Sequence, residues 1–420
     1  MLKTPKLRFK DKNGNSYPEW SCKQFDEVFE ILQNNTLSRK ELNYSNKFVK
    51  NIHYGDVLIN FPVNLNCQTC MIPNINQDID LTKYKSSSYL QNGDVIFADT
   101  AEDETVGKAC EICNIQEKIL SGLHTIPCRP KFNFASQYLG YFLNSSLYHN
   151  QLLPLITGIK VSSISKSSIK TTMIYYPCFE EQEKIAGFLS KVDELINECE
   201  GEVKDLEEQK KGLLQKIFSQ QIRFKDSNNN PYPDWEEKKL YDITDVRDGT
   251  HDSPKYVAYG YPLITSKNLT KDGKLDFSDV SYITEQDYKE INKRSKVHVG
   301  DILFGMIGTI GKPVVIQEDN FAIKNVALIK NNQNNINRYL VHYLQSDNIL
   351  RQFHVEIAGG TQKFIALGLI RNLKIQIPCK EEQEKIAKVL SKMDELIEEK
   401  KALLFDWQQL KKGLLQQMFV

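Results

Sequence analysis

The 420-residue sequence lacks an excess of charge: 54 Lys and Arg balance 54 Asp and Glu. That argues against a uniformly basic nucleic-acid coat and excludes a large acidic tail. No apolar run approaches the ~18 residues needed to cross a bilayer. The opening stretch, MLKTPKLRFKDKNG, is polar where a secretory signal would be apolar. The expectation is a soluble, cytoplasmic protein with no membrane partner. Signatures of catalysis are missing too. There is no HExxH and no GxSxG elbow. The nearest approach to a phosphate loop, Gly305-Met-Ile-Gly308-Thr-Ile-Gly311-Lys312-Pro313, has the wrong spacing and a proline where Ser or Thr must bind magnesium. The nine cysteines do not suggest a disulfide framework in a chain without an export signal. Two CxxC pairs, Cys67/Cys70 and Cys110/Cys113, make a zinc site conceivable. Neither pair carries the usual turn glycine, and the second sits in a strand-like run, so the expectation is no metal. Apolar residues at 40%, with 20 Phe and 19 Tyr, exclude wholesale disorder and suffice for two or three cores.

The sequence is written twice. RFKDKNGNSYPEW at 8–20 returns as RFKDSNNNPYPDW at 223–235, and DLEEQKKGLLQKIFS at 205–219 as DWQQLKKGLLQQMFV at 406–420. CFEEQEKIAGFLSKVDELI at 178–196 returns as CKEEQEKIAKVLSKMDELI at 379–397, identical at 15 of 19 positions. Such a period is too long for a solenoid and marks duplication of one large unit.

The repeated segments have the period of a long helix. Apolar residues fall at Ile185, Leu189, Val192, Ile196, Cys199, Val203, Leu206, Leu213 and Ile217, with Lys210 in the missing turn. The second copy has Ile386, Leu390, Met393, Ile397, Leu404, Trp407, Leu414 and Met418, with Lys400 and Lys411 as gaps. Spacings alternating between four and three are those of a coiled-coil seam. Pro177 and Pro378, each followed by a Glu pair, suit helix entry. The simplest pairing joins the two seams within one chain, antiparallel, with a globular domain at each end of the rod; a dimer through the same seams is the alternative. Segments 1–177, 178–222, 223–378 and 379–420 are then a globular domain, a helix, a second domain and a second helix. Strand-like runs such as YGDVLINF at 54–61, NGDVIFAD at 92–99 and VGDILFGM at 299–306 give the class: α+β, with curled mixed or antiparallel sheets and a pseudo-twofold tandem repeat.

The motif P-x-x-EEQEKIA-x-x-LSK-x-DELI followed by KKGLLQ-x-x-F, occurring twice around two dissimilar domains, resembles the specificity subunit of type I restriction–modification systems. DGTHDSP at 248–254, GDILFGMIGTIGK at 300–312 and GDVIFADTAEDETVGK at 93–108 are similar to runs in the target-recognition domains of that family. The resemblance spans nearly the whole chain. It implies a non-catalytic subunit whose two recognition domains each read half of a split, asymmetric double-stranded DNA site, with the rod setting the spacer. It implies two docked methyltransferase subunits using S-adenosylmethionine, and restriction or translocase subunits using ATP and Mg, with no cofactor held by this chain. Consistently, the Asn/Asp-Pro-Pro-Tyr/Phe motif of an adenine methyltransferase is missing. A coiled-coil scaffold with two ligand-binding domains is the rival reading.

Candidate DNA contacts follow. Arg247, Thr250, His251, Asp252, Ser253 and Lys255 lie in a Gly/Pro loop whose groups can reach phosphates and base edges. Lys267 and Asn268 follow one apolar run, and Lys324 and Asn325 interrupt another. Gln362 and Lys363 follow a double glycine. In the first domain His124, with Thr125, corresponds to Lys324-Asn325. Lys160, Ser162, Ser163 and Lys166 form a Ser/Lys run, and Asn34, Asn35, Arg39 and Lys40 precede a strand. By segment, 1–177 carries net +3, 178–222 net −5, 223–378 net +2 and 379–420 zero. Neutral overall, the chain is two mildly basic heads and one acidic helix.

Overall fold

The structure is a computed structural model that describes residues 5–45, 48–158, 160–270, 272–307, 311–332, 336–357 and 365–419. It forms two compact units, Met1–Glu200 with Ala402–Val420, and Gly201–Lys401. Two long helices contribute to both: α1 (Phe179–Phe218) and α2 (Lys380–Met418). Each unit therefore holds a globular domain, the start of the helix that follows it, and the end of the other helix.

Within each unit the helices run antiparallel. In the first, Asp193 pairs with Lys411 at 2.5 Å, and Gln408 donates to Glu200 at 3.3 Å. In the second, Lys400 meets Glu202 at 2.6 Å, and Lys210 meets Asp394 at 2.5 Å. The three lysines that interrupt the apolar seam are thus each paired with a carboxylate of the opposite helix. Ile185, Leu189, Val192, Ile196 and Cys199 are buried, as are Ile217, Ile386, Leu390, Ile397 and Met418. Val203, Leu206, Leu213, Met393, Leu404, Trp407 and Leu414 are half-buried.

The arm preceding each domain is built twice in the same way. Asp11 and Asp226 each cap a turn, accepting from the backbone of Asn13 and Asn15, and of Asn228 and Asn230. Arg8 grips Glu181 through two nitrogens at 3.1 and 2.6 Å, and Arg223 grips Glu382 at 3.2 and 2.8 Å. Both carboxylates are fully buried in the first turn of a long helix. The twin positions differ in one bond: Trp235 Nε1 donates to Glu382, whereas Trp20 Nε1 has no hydrogen-bond partner among the described residues. Leu7 N donates to Gln417 O at the end of α2, as Ile222 N donates to Lys216 O near the end of α1. Phe419 then packs on Trp20, Tyr138 and Phe142 in the first core, and Phe218 on Trp235, Tyr339 and Tyr343 in the second.

Besides two-stranded pairs, each domain has two sheets of four or five strands. The first unit has a five-stranded one in the order Phe29–Ile31, Thr125–Pro130, Val95–Ala98, Ala109–Cys113, Asn64–Asn66, and the second a four-stranded one, Val246–Asp248, Val326–Ile329, Ile302–Gly305, Pro313–Val315. The smaller sheets correspond strand for strand. In the first unit β1 (Leu42–Asn43), β2 (Lys50–Ile52), β3 (Asn74–Ile75) and β4 (Ile119–Ser121) lie in the order β1-β3-β2-β4. In the second unit β5 (Tyr256–Val257), β6 (Tyr261–Ile264), β7 (Ser281–Ile283) and β8 (Ala322–Ile323) lie in the order β5-β7-β6-β8. In both, the central antiparallel strand is flanked by two strands that follow each other in sequence, and the last pair is parallel. One strand expectation fails. YGDVLINF forms a helical turn over Asp56–Asn60, held by Arg39 and Asn60 side chains that both donate to Asp56 Oδ1.

Removing one partner of a buried ion pair leaves an uncompensated charge, at a cost of about 3–5 kcal/mol. Arg223→Ala is therefore expected to lower the melting temperature of the second unit by about 10 °C and leave amide exchange in the first unit unchanged, with Arg8→Ala doing the converse. Uniform loss of protection in both units, or no loss, would remove the arm–helix ion pair as the local anchor.

Candidate nucleic-acid interface

In both units the chain leaves the small sheet and enters the large one, at the strand second from its edge, through a single left-handed residue. These residues are His124 (φ +53°) and Asn325 (φ +54°). Left-handed backbone costs a non-glycine residue about 1 kcal/mol or more, and such residues cluster at functional sites. The correspondence expected from sequence thus shifts by one: His124 matches Asn325, leaving Lys324 opposite Leu123.

Around Asn325 the second unit gathers side chains from three separate stretches. His251 Nε2 lies 2.8 Å from Asp248 Oδ2, and its Nδ1 lies 2.8 Å from Asn325 Oδ1. Both imidazole nitrogens face oxygens, so both donate; the hydrogen bonds to Asp248 and Asn325 raise the His251 pKa and favour the imidazolium. Arg294 pairs with the other oxygen of Asp248, which is buried. Lys324 Nζ donates to Ser253 Oγ at 3.1 Å, and the backbone of Thr250 pairs with residues 323 and 325. Gly249 permits this approach, since a Cβ there would lie 2.4 Å from the Ile323 carbonyl oxygen. Arg247 is drawn towards Asp245 at 2.6 Å and donates to the Arg294 carbonyl. Asp252 and Lys255 are exposed at the rim.

Around His124 the first unit does the same with other residues. His124 Nδ1 lies 3.3 Å from Asp99 Oδ1 and 3.2 Å from Thr100 Oγ1. Its ring meets Tyr54 edge-on, and Tyr54 packs on His53. Burial, with Arg39 nearby, lowers the His53 pKa. Ser162 and Ser163 pair with Ala101 and Thr100. Lys166 Nζ donates to Asn34 Oδ1, and Asn34 Nδ2 to the Gly122 carbonyl, which places both beside His124. Arg39 is committed to Asp56 at 2.6 Å, while Lys40 and Lys160 are exposed.

Not every candidate belongs to these clusters. Asn268 is buried; it caps its own turn and donates to the Asp276 and Asp279 carbonyls, so its polarity is spent internally. Asn35 is buried against Asn51 and is equally structural. Lys267 is exposed and pairs with Asp279. Gln362 and Lys363 lie outside the described residues. Asp99, Thr100, Tyr54 and Arg294 join the clusters without having been singled out in the sequence, because only folding brings them there. Asp248 was visible only as part of its loop.

Among the described residues no group of three or more His, Cys, Asp or Glu is arranged to hold a metal ion. The CxxC cysteines are free thiols; burial raises the Cys67 pKa to about 11 and the Cys113 pKa to about 12, which disfavours thiolate ligation. No helix of the described residues is long and apolar enough to cross a membrane.

Comparison with known proteins agrees with this architecture. The chain matches the family model for the type I restriction modification DNA specificity domain twice, over residues 17–208 and 232–404. It is 25% identical over 411 residues to a protein named as the specificity subunit of type I restriction enzyme MjaX of Methanocaldococcus jannaschii, covering 94% of this chain and 91% of that one. Among solved structures, the S subunit of a type I restriction–modification system from M. genitalium superposes with a TM-score of 0.58 at 13% identity, covering 100% of this chain and 99% of that one. A chain from a study of complex assembly and conformational transition of the type I R-M system also scores 0.58, at 17% identity over 96% and 98% of the two chains. With both halves matched, the chain belongs to the type I restriction modification DNA specificity domain family and carries that domain twice.

Proposed function

We propose that this chain is the non-catalytic, sequence-reading subunit of a type I restriction–modification complex. The observation that carries the reading is the twofold recurrence of one site: a left-handed residue opening the same strand of the large sheet, second from its edge, surrounded by cations, amides and hydroxyls from distant stretches. Position is common to the two sites and side chains are not, as expected of two heads reading different half-sites. Guanine suits Arg or Lys, adenine suits Asn, and Ser or Thr can serve either phosphates or base edges. A scaffold that binds peptides gives no reason for such a matched pair of polar clusters.

The division of labour follows from charge. The domain segments are only slightly basic, +3 over 1–177 and +2 over 223–378, so phosphate neutralisation by this chain alone is modest. Methyltransferase subunits are expected to dock on the helices, enclose the duplex and supply S-adenosylmethionine chemistry. Restriction subunits would add ATP- and Mg-dependent steps, with no cofactor held by this chain and a cytoplasmic location for the whole.

Mapping methylated adenines genome-wide with and without the gene is expected to return one bipartite asymmetric sequence that disappears on deletion. His251→Ala should blur one half-site and leave the other intact. A chain whose deletion changes no methylated site is not a reader.

His251 gives a pH test. Its raised pKa means that the imidazolium clamp between Asp248 and Asn325, formed against the opposing charge of Arg294, is fully formed at low pH and is lost as pH rises through that value. Duplex binding by the complex at constant ionic strength should weaken severalfold from about pH 6 to about pH 8.5, and His251→Gln should flatten that dependence. Identical profiles for the two proteins would exclude His251 as the titrating group.

A further inference from the structure

On the small sheet of each unit stands an aromatic residue that the fold holds in solvent. In the second unit the chain passes from β5 to β6 across the end of β7: Tyr256 and Tyr261 both oppose Ile283, one on each side. The crossing takes only residues 258–260, so Tyr259 sits at the crest of a tight arch and is 94% exposed. The arch is braced. Gly260 runs so close to β7 that a Cβ would lie 2.1 Å from the Ile283 carbonyl oxygen, Pro262 follows, and Tyr261 stacks on Tyr288 with centroids 3.9 Å apart. Tyr256, at the foot of the arch, is 53% exposed.

The first unit repeats the device in unrelated sequence. Its chain passes from β1 to β2 across β3, with Asn43 and Lys50 both opposite Asn74. Tyr44 and Phe48 lie on the crossing segment, 59% and 41% exposed. Aromatic residues on an arch of common topology, amid otherwise dissimilar residues, indicate a use for the rings in both domains.

We propose that the arch aromatics, Tyr259 in the second domain and Tyr44 with Phe48 in the first, stack against bases of the DNA duplex at the edge of each half-site, wedging a base step open and fixing where reading begins. The inference rests on the DNA-reading function proposed above. Three features select a duplex as the occupant. The strand leaving the second arch, β6, runs from Tyr261 to Ile264, where Ile264 O accepts from Lys324 N beside the His251–Asn325 cluster. Four strand residues span about 10 Å, or roughly three base steps at 3.4 Å. In sequence both crossing stretches are poor in acids: residues 39–50 hold four basic groups, of which Arg39 and Lys50 pair with Asp56 and Glu117, and one acid, and residues 255–265 hold one Lys and no acid. Finally, a braced tyrosine loses little freedom on stacking, and base–aromatic stacking tolerates any base. The ring thereby gives position without adding to the sequence read.

The test uses the full chain co-purified with its methyltransferase subunits and the bipartite duplex recovered by methylation mapping, carrying 2-aminopurine at successive positions along one half-site and its flank. The wild-type complex is expected to raise fluorescence at one step. Tyr259→Ala should abolish that rise and weaken binding about tenfold, while Tyr259→Phe keeps both. Tyr44→Ala with Phe48→Ala should act only on the other half-site. Normal binding and fluorescence for Tyr259→Ala would overturn the proposal, as would a loss of methyltransferase subunits on purification, which would make the arch a protein interface. If no duplex is preferred by the wild-type complex, the reading function itself fails, a result distinct from failure of the wedge.

Discussion

An ammonium group placed between two helices must find a carboxylate or stay in water, and this requirement fixes how α1 and α2 lie against each other. An uninterrupted apolar seam tolerates a slip of one heptad at small cost, because every rung is alike. Lys411 with Asp193 in the first unit, and Lys210 with Asp394 and Lys400 with Glu202 in the second, make the rungs unequal. A slip would strand charges beside apolar side chains. Everything downstream depends on that register. It decides that Phe419 reaches Trp20 and Phe218 reaches Trp235. Those rings complete the two domain cores, and the cores hold the strands that carry the polar clusters.

Duplication has preserved this frame while letting its details part. Tyr141 donates its hydroxyl to the seam carboxylate Asp193 at 2.7 Å. The equivalent His342 instead bonds Ser391 at 3.1 Å, and its other nitrogen stands 3.8 Å from Asp394 with no hydrogen-bond partner. Burial lowers the His342 pKa to about 3, so the ring is neutral and adds no charge to the pair beside it. The first domain is thus bonded directly to the carboxylate that sets the register, and the second only packs near it. The same divergence within a fixed frame, carried to the surface, turns equivalent positions into the unlike clusters around His124 and Asn325.

Much of this frame was legible in the sequence because helical periodicity and internal repetition are local signals. The seam positions, the lysines interrupting it and the prolines before each helix all stand at the places their spacing indicates. YGDVLINF was not legible, since a short apolar run is compatible with strand or helix; the choice fell to the hold of Arg39 and Asn60 on Asp56. The clusters were legible only in part. His251 and Asn325, Lys166 and Asn34, or His124 and Asp99 are neighbours because strands carry them together, and no spacing announces it. Nor does polarity distinguish Asn325, whose amide faces His251, from Asn268, whose amide is consumed by its own turn.

The contact of Leu7 with Gln417 and of Phe419 with Trp20 has a consequence for the order in which the molecule closes. In the second unit the arm and the helix end that supports it are joined by a few residues of backbone, and all its parts lie within 201–401. The first unit needs side chains from both sides of that segment. During synthesis its early strands must therefore wait, with Trp20, Tyr138 and Phe142 lacking their last neighbour, until the whole second unit has been made. The domain translated first is sealed last, and the long delay falls on the half of the molecule whose core remains open to solvent and to chaperones.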